Sequence, residues 1–296
     1  MREFRFGFAT VVGKPNVGKS SFINRLTGAK VSITSRRPQT TRNRIIGVLN
    51  TPTFQLAMTD TPGIHKSGTV INQRIDSIAR SSISGADISV MLIDARGWKS
   101  EDELVWNAVT KHKQPIFILI NKIDLLVHPT RLLPLIRRCS VMGEIEEIIP
   151  ISVKTGHNLD LFVELVEARL PFGPPGFPLE TPIVSELEFS IAELIREQVF
   201  RLAGAEIPYR SAVMVERGSV ESGSMPEFHA EIWVETVGQK AILIGPRGRR
   251  LKDIGTRVRK QVETMVGRQV VLTTRVSVQK KWSSDPSKLR SLGYGK

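Results

Sequence analysis

Over the first 171 residues, short β-branched apolar runs alternate with helix-period segments, which predicts an α/β unit with a mostly parallel sheet and helices on both faces. Beyond that point the order becomes helix, two strands, two helices and a strand, which predicts a smaller α+β unit. Between them lies Pro171-Phe172-Gly173-Pro174-Pro175-Gly176-Phe177-Pro178, where four prolines and two glycines in eight residues let neither helix nor central strand persist. The predicted organisation is residues 1–171, a linker at 172–178, and residues 179–296. A length of 296 residues, at about 150 per domain, leaves room for these two.

In chain order, apolar runs predict strands at 8–12, 54–58, 88–93, 116–120 and 148–151. Amphipathic periodicity predicts helices at 20–26, 72–84, 100–112, 131–142 and 158–170. The second unit reads as a helix at 188–202, strands at 212–220 and 228–237, a short helix ending at Ile244, a longer one at 249–266 and a strand at 270–278. Trp233, within a strand, reads as core. Cys139 is the single cysteine; flanked by Arg138 and Ser140 it reads as a helix-face thiol, without metal-ligand spacing.

Hydrophobic residues make up 41% and charged residues 24%, inside the globular range. Apolar runs stay below the ~18 residues of a membrane span. The N-terminus lacks a secretory pattern, so a cytoplasmic protein is expected. Net charge is +13, divided as +8 over 1–171, −7 over 172–239 and +12 over 240–296. The last stretch therefore predicts a polyanion-binding surface, with nucleic acid as its first candidate.

Gly13-Lys14-Pro15-Asn16-Val17-Gly18-Lys19-Ser20 fits G-x-x-x-x-G-K-[ST] between a predicted strand and a predicted helix. The glycines let successive N–H groups face phosphate oxygens, Lys19 reaches the β and γ phosphates, and Ser20 ligates Mg²⁺. Asp60-Thr61-Pro62-Gly63 follows a strand; Asp60 is placed to hold Mg²⁺ through water, and the Gly63 N–H to meet the γ-phosphate. Asn121-Lys122-Ile123-Asp124 supplies a carboxylate, Asp124, that accepts from both guanine N1–H and its exocyclic amine. Adenine lacks those donors, so the pattern predicts GTP and GDP as ligands. Asn121 is expected to brace the loop and Lys122 to cover ribose and base. Ser152-Val153-Lys154 would add a backbone N–H to guanine O6 and a lysine stem on the ring. The polar segment from Ser35 through Gln39, Thr40, Thr41 and Arg42 fits a loop ordered by a threonine on Mg²⁺, either Thr41 or Thr40. His65, beside the Asp-Thr-Pro-Gly turn, reads as an exposed loop histidine rather than a base.

These motifs, in this order, resemble the translation-factor branch of P-loop GTPases. Gly245-Pro246-Arg247-Gly248, followed by Arg249, Arg250 and Lys252, is similar to the Gly-x-x-Gly loop of a type II KH domain, which clamps about four nucleotides of single-stranded RNA. Pro246 stiffens this loop and removes a donor. A GTPase followed by a KH domain resembles the Era family of bacterial GTPases over essentially the whole chain, including the tail from Lys280-Lys281-Trp282 to Leu289-Arg290. That resemblance implies a monomer that hydrolyses GTP, binds the 3′ end of 16S ribosomal RNA, and acts in maturation of the 30S subunit. Ile64 stands where Ras-like enzymes place a water-orienting glutamine. In related GTPases an asparagine at the position of Asn16 accompanies a K⁺ ion against the β and γ phosphates, which the resemblance implies here. Two other readings are an RNA chaperone with a slow nucleotide switch, separated by multiple-turnover phosphate release, and a GTPase peripheral to the inner membrane face, separated by liposome sedimentation.

Overall fold

The computed structural model describes residues 3–29, 45–60, 83, 85–184, 187–203, 207–218 and 225–292. The predicted helix at 72–84, apart from Ile83, the 35–42 loop and residues 61–65 lie outside the described residues.

The first unit is built from β1 (Arg5–Val12), α1 (Lys19–Thr27), β2 (Ile45–Asn50), β3 (Phe54–Asp60), β4 (Ile88–Asp94), α2 (Ser100–Val109), β5 (Ile116–Asn121), α3 (Leu133–Ser140), β6 (Glu147–Pro150), α4 (Leu159–Glu167) and β7 (Ile183–Val184). Its sheet runs β6-β5-β4-β1-β3-β2-β7. The strands from β6 to β3 are parallel, and β2 is antiparallel to both β3 and β7. β4 and β5 are buried along their whole length, as expected for parallel strands covered on both faces. On one face Phe162 of α4 meets Phe22 of α1 at 5.2 Å and Phe117 at 6.0 Å between ring centroids, both edge-on. On the other, Met91, Ile93, Ile118 and Ile120 pack under Val105 and Trp106 of α2 and Leu135 and Cys139 of α3. Burial pushes the Cys139 thiol up to about 11, against the opposing influence of Arg138.

Element ends differ from the sequence expectation where local chemistry intervenes. The helix expected from residue 131 is a 3₁₀ turn at Pro129–Leu132 that becomes α3 at Leu133. α2 stops at Val109, and the strand expected to reach Val237 ends at Val234, because Thr236 caps the next helix by accepting from the Gln239 N–H at 3.2 Å. β2 and β7 had no sequence expectation.

The domain boundary also moves. The first unit continues to Val184, and the proline-rich stretch is laid against it rather than left as a spacer. Phe177 N donates to Gln55 Oε1 at 2.9 Å, Gln55 Nε2 donates back to the Phe177 carbonyl at 3.0 Å, and the Arg5 guanidinium sits 3.9 Å above the Phe172 ring. The prolines deny regular structure, but Phe177 packs edge-on against Phe6 and Phe8, at 5.9 and 6.3 Å between ring centroids, while Phe172 stays largely exposed.

The second unit comprises α5 (Leu187–Leu202), β8 (Ser211–Arg217), β9 (Glu227–Val234), α6 (Val237–Ile244), α7 (Arg249–Val266), β10 (Val271–Val278) and α8 (Pro286–Ser291). Its sheet runs β10-β9-β8, with β10 parallel and β8 antiparallel to β9. Ile254, Val258 and Val262, four residues apart on α7, join Ile195 and Val199 of α5 over Phe228, Ile232 and Val234. Against the opposite face, Trp282 is wholly buried with Ala212, Trp233 and Leu289, and its indole N–H donates to the Arg210 carbonyl at 3.1 Å. Among the described residues no helix is long and apolar enough to cross a membrane.

Candidate functional site

β1 delivers the chain into the predicted phosphate loop, and the loop's glycines are required by its path. Gly13 has φ 150°, and a Cβ there would lie 2.5 Å from the Leu92 carbonyl oxygen. Gly18, at φ 111°, opens α1, and a side chain there would strike Asn121 Nδ2. Asn16 adopts φ 61°, the left-handed region a non-glycine residue rarely enters. α1 begins at Lys19, so the N–H groups of its first turn face the loop. The buried Lys19 ammonium donates to the carbonyls of Gly13 at 2.9 Å and Lys14 at 3.1 Å. Burial pushes Lys19 down to about 8, and the Asp60 carboxylate opposes the shift. Asp60 ends β3, where its Oδ2 accepts from the Ser20 hydroxyl at 2.6 Å. Two of the expected metal-binding groups are therefore adjacent; Gln39, Thr40, Thr41, Arg42 and Thr61, Pro62, Gly63 and Ile64 lie outside the described residues.

The second motif meets the first through one side chain. Asn121, at the end of β5, donates from Nδ2 to the Val17 carbonyl at 2.8 Å, and its Oδ1 accepts from the N–H groups of Lys122 at 2.8 Å and Val153 at 3.1 Å. The Ser152 hydroxyl donates to Asp124 Oδ1 at 2.6 Å, so the exposed carboxylate is held in one orientation. Lys154 is exposed just beyond Val153. The Lys122 ammonium goes into the protein rather than toward a ribose, donating to the Asn16 carbonyl at 2.6 Å and Asp94 Oδ2 at 2.9 Å. Only its stem is placed to cover a base.

Two carboxylates absent from the sequence expectation complete this framework. Asp94, at the end of β4, accepts from Arg96 Nε at 2.8 Å and Nη2 at 2.7 Å as well as from Lys122. Burial would raise it, but these hydrogen bonds and the Lys122 charge outweigh burial and hold it well below the usual carboxylate range. Its position at the carboxyl end of a central strand is where open α/β sheets gather functional groups, a signal available in the sequence. Asp102, in the first turn of α2, accepts from Lys14 Nζ at 2.6 Å and from the Lys99 N–H at 2.9 Å. No motif marks it.

In the second unit, Gly245 follows α6 with φ 71°, Arg247 sits at φ 52°, and Gly248 at φ 72° opens α7. A Cβ on Gly245 would come within 2.9 Å of Arg250 Cβ, whereas one on Gly248 would meet open space. Pro246, Arg247, Arg249 and Lys252 are exposed. Arg250, expected as a phosphate contact, is half-buried, and its guanidinium donates to the Ile242 carbonyl at the end of α6.

Residues 8–122 match the family of 50S ribosome-binding GTPases, and residues 206–283 match the KH domain family. The GTPase Era of Stenotrophomonas maltophilia is 41% identical over 289 residues, spanning 97% of each chain. The chain belongs to the Era family of GTPases. The GTPase Era of Lactobacillus delbrueckii subsp. bulgaricus is 39% identical over 294 residues, 99% of this chain and 97% of its own. Two crystal structures of Era superpose with a TM-score of 0.94 at 37% identity, over 99% of this chain and all of theirs. One is a variant of Aquifex aeolicus Era bound to GDP·AlF4⁻; the other is Era with MgGDPNP and nucleotides 1506–1542 of 16S ribosomal RNA. As in Era, a GTPase unit precedes a KH domain, and the chain is a GTP hydrolase with an RNA-binding module.

Proposed function

We propose that this Era-family GTPase binds the 3′ end of 16S ribosomal RNA and acts in maturation of the 30S subunit, with its nucleotide state setting RNA and ribosome engagement. The observation that carries the reading is full-length likeness to Era solved with both a GTP analogue and that RNA segment. Gly13 to Ser20 cradle the phosphates, and Asp124 reads guanine while Asn121 ties base-reading and phosphate-reading loops together. The hydroxyl of Ser20 and the carboxylate of Asp60, with Thr41 as the third group, form a set of hard oxygen donors that suits Mg²⁺. When bound, Mg²⁺ neutralises charge on the β and γ phosphates. Because Ile64 offers no hydrogen bond to a water, we assign the missing electrostatic help to K⁺ beside Asn16. Hydrolysis should then run faster in KCl than in NaCl at equal ionic strength, and Asn16→Ala should erase the difference; equal wild-type rates would remove K⁺ from the mechanism.

RNA is assigned to Gly245, Pro246, Arg247, Gly248, Arg249 and Lys252. Crosslinking the protein to RNA in cells and sequencing the bound fragments tests the substrate. Enrichment of the 3′ terminus of 16S ribosomal RNA is expected, and its absence would refute the assignment. We place the protein in the cytoplasm as a monomer. The +12 charge of residues 240–296 also suits anionic lipid at the inner membrane face, a contact that sedimentation with phosphatidylglycerol vesicles would reveal.

A further inference from the structure

The arch of the phosphate loop, Lys14-Pro15-Asn16, is tied on both sides to one connecting segment, the residues from Asp94 to Asp102 that join β4 to α2. At one end the Lys14 ammonium meets Asp102 Oδ2 at 2.6 Å, with the Asp102 side chain wholly buried and that of Lys14 nearly so. The same oxygen accepts from the Lys99 N–H, so the first turn of α2 fixes the carboxylate before it meets the lysine. At the other end Asp94 holds Lys122, whose ammonium donates to the Asn16 carbonyl.

A buried ion pair is a costly way to join two elements, and apolar groups of the same volume often stabilise as well or better. Here the cost is enlarged, because Asp102 Oδ1 is buried without a hydrogen-bond partner among the described residues. What the pair supplies is restraint. Asn16 stands in the left-handed region at φ 61°, and such a conformation persists only where the surroundings over-determine it. We propose that Asp102 is a positioning residue of the nucleotide site, which through Lys14 holds the 14–16 arch in the shape that presents its N–H groups to phosphate. Binding gains because the loop need not be ordered when nucleotide arrives. The proposal rests on the nucleotide reading of this site and adds a residue outside its motifs.

The test measures GDP and GTP binding, as both Kd and number of sites, for full-length wild type, Asp102→Asn, Lys14→Met and the double variant. Asn keeps one oxygen to accept from the Lys99 N–H and from Lys14, so α2 retains its start while the ion pair is reduced to a neutral hydrogen bond and an amide NH2 takes the place of buried Oδ1. Asp102→Asn should raise Kd for both nucleotides about tenfold at full site number, with the preference for guanine over adenine unchanged. The double variant should be no weaker than the weaker single variant, because both substitutions act on one link. A Kd for Asp102→Asn within about twofold of wild type would overturn the proposal, and so would multiplying effects in the double variant. Fewer sites at unchanged Kd would overturn it too, since that is the signature of a purely structural pair. Wild type that binds neither nucleotide would instead remove the nucleotide reading, and this inference with it.

Discussion

In the proposed reading a single carboxylate, Asp124, separates guanine from adenine, and the Ser152 hydroxyl at 2.6 Å holds its orientation. Asp124→Asn turns one acceptor into a donor facing the guanine donors, while xanthine offers a carbonyl there. Competition binding should show GTP affinity falling at least about a hundredfold and XTP affinity rising, and a variant that gains nothing for XTP would refute the base-reading role. Asn121 carries a different kind of weight, because its amide serves the Val17 carbonyl and two N–H groups at once. Asn121→Ala leaves several of these groups buried and unmatched, so urea denaturation should show a loss of about 2–4 kcal/mol even without nucleotide. The bracing by Asn121 was legible in the sequence, because the Asn-Lys-Ile-Asp pattern sets it beside the carboxylate expected to read guanine. Asp102 was not: its role comes from a contact with Lys14 across 88 positions, and nothing in its own neighbourhood announces a partner.

Among elements, the turn between α6 and α7 shows what a glycine pattern reveals and what it conceals. Gly245 and Gly248 both take left-handed φ, so their identity follows from the backbone. Because a Cβ at Gly248 meets open space, and aspartate tolerates the left-handed region, Gly248→Asp should leave α7 folded while setting a negative charge against RNA phosphate. Fluorescence anisotropy should show RNA binding abolished and intrinsic phosphate release retained. Arg249→Ala and Lys252→Ala, both exposed, should each flatten the log–log salt dependence by about 0.7. Arg250→Ala should instead loosen the end of α6, which its guanidinium ties down through the Ile242 carbonyl. Sequence alone made these three basic residues equivalent, because burial is not a local property. β2 escaped for a related reason. Ile45–Asn50 is an antiparallel strand in an otherwise parallel sheet, and its pairing with β3 and β7 is set by chain folding rather than periodicity. β3, β4 and β5 were readable because burial on both faces leaves a largely apolar signature, and β1 and β6 because short apolar runs survive their partial exposure.

For the whole molecule, each unit has its own core and its own expected ligand, which makes ligand effects on stability separable. Cys139, the single cysteine, is buried in the first unit with a thiol pushed up to about 11. At pH 8 the native thiolate is scarce, so alkylation reports opening of that unit. GDP at 100 times its Kd should add about 2.7 kcal/mol, slowing the labelling of Cys139 about a hundredfold where reclosing outpaces alkylation. RNA at the same relative excess should leave that rate unchanged, and equal protection by both ligands would mean that the units open together.

Trp282 gives the second unit an order of assembly in time. It covers one face of β8 and β9 from a segment that follows β10 in the chain, helped by Leu289. During synthesis those residues leave the ribosome after the strands they cover, while domains fold from the N-terminus as they emerge. The first unit can therefore fold and hold nucleotide while the sheet of the second unit still lacks its plug. A nascent chain arrested before Trp282 should protect Cys139 yet bind RNA weakly, and extension past Leu289 would complete the module.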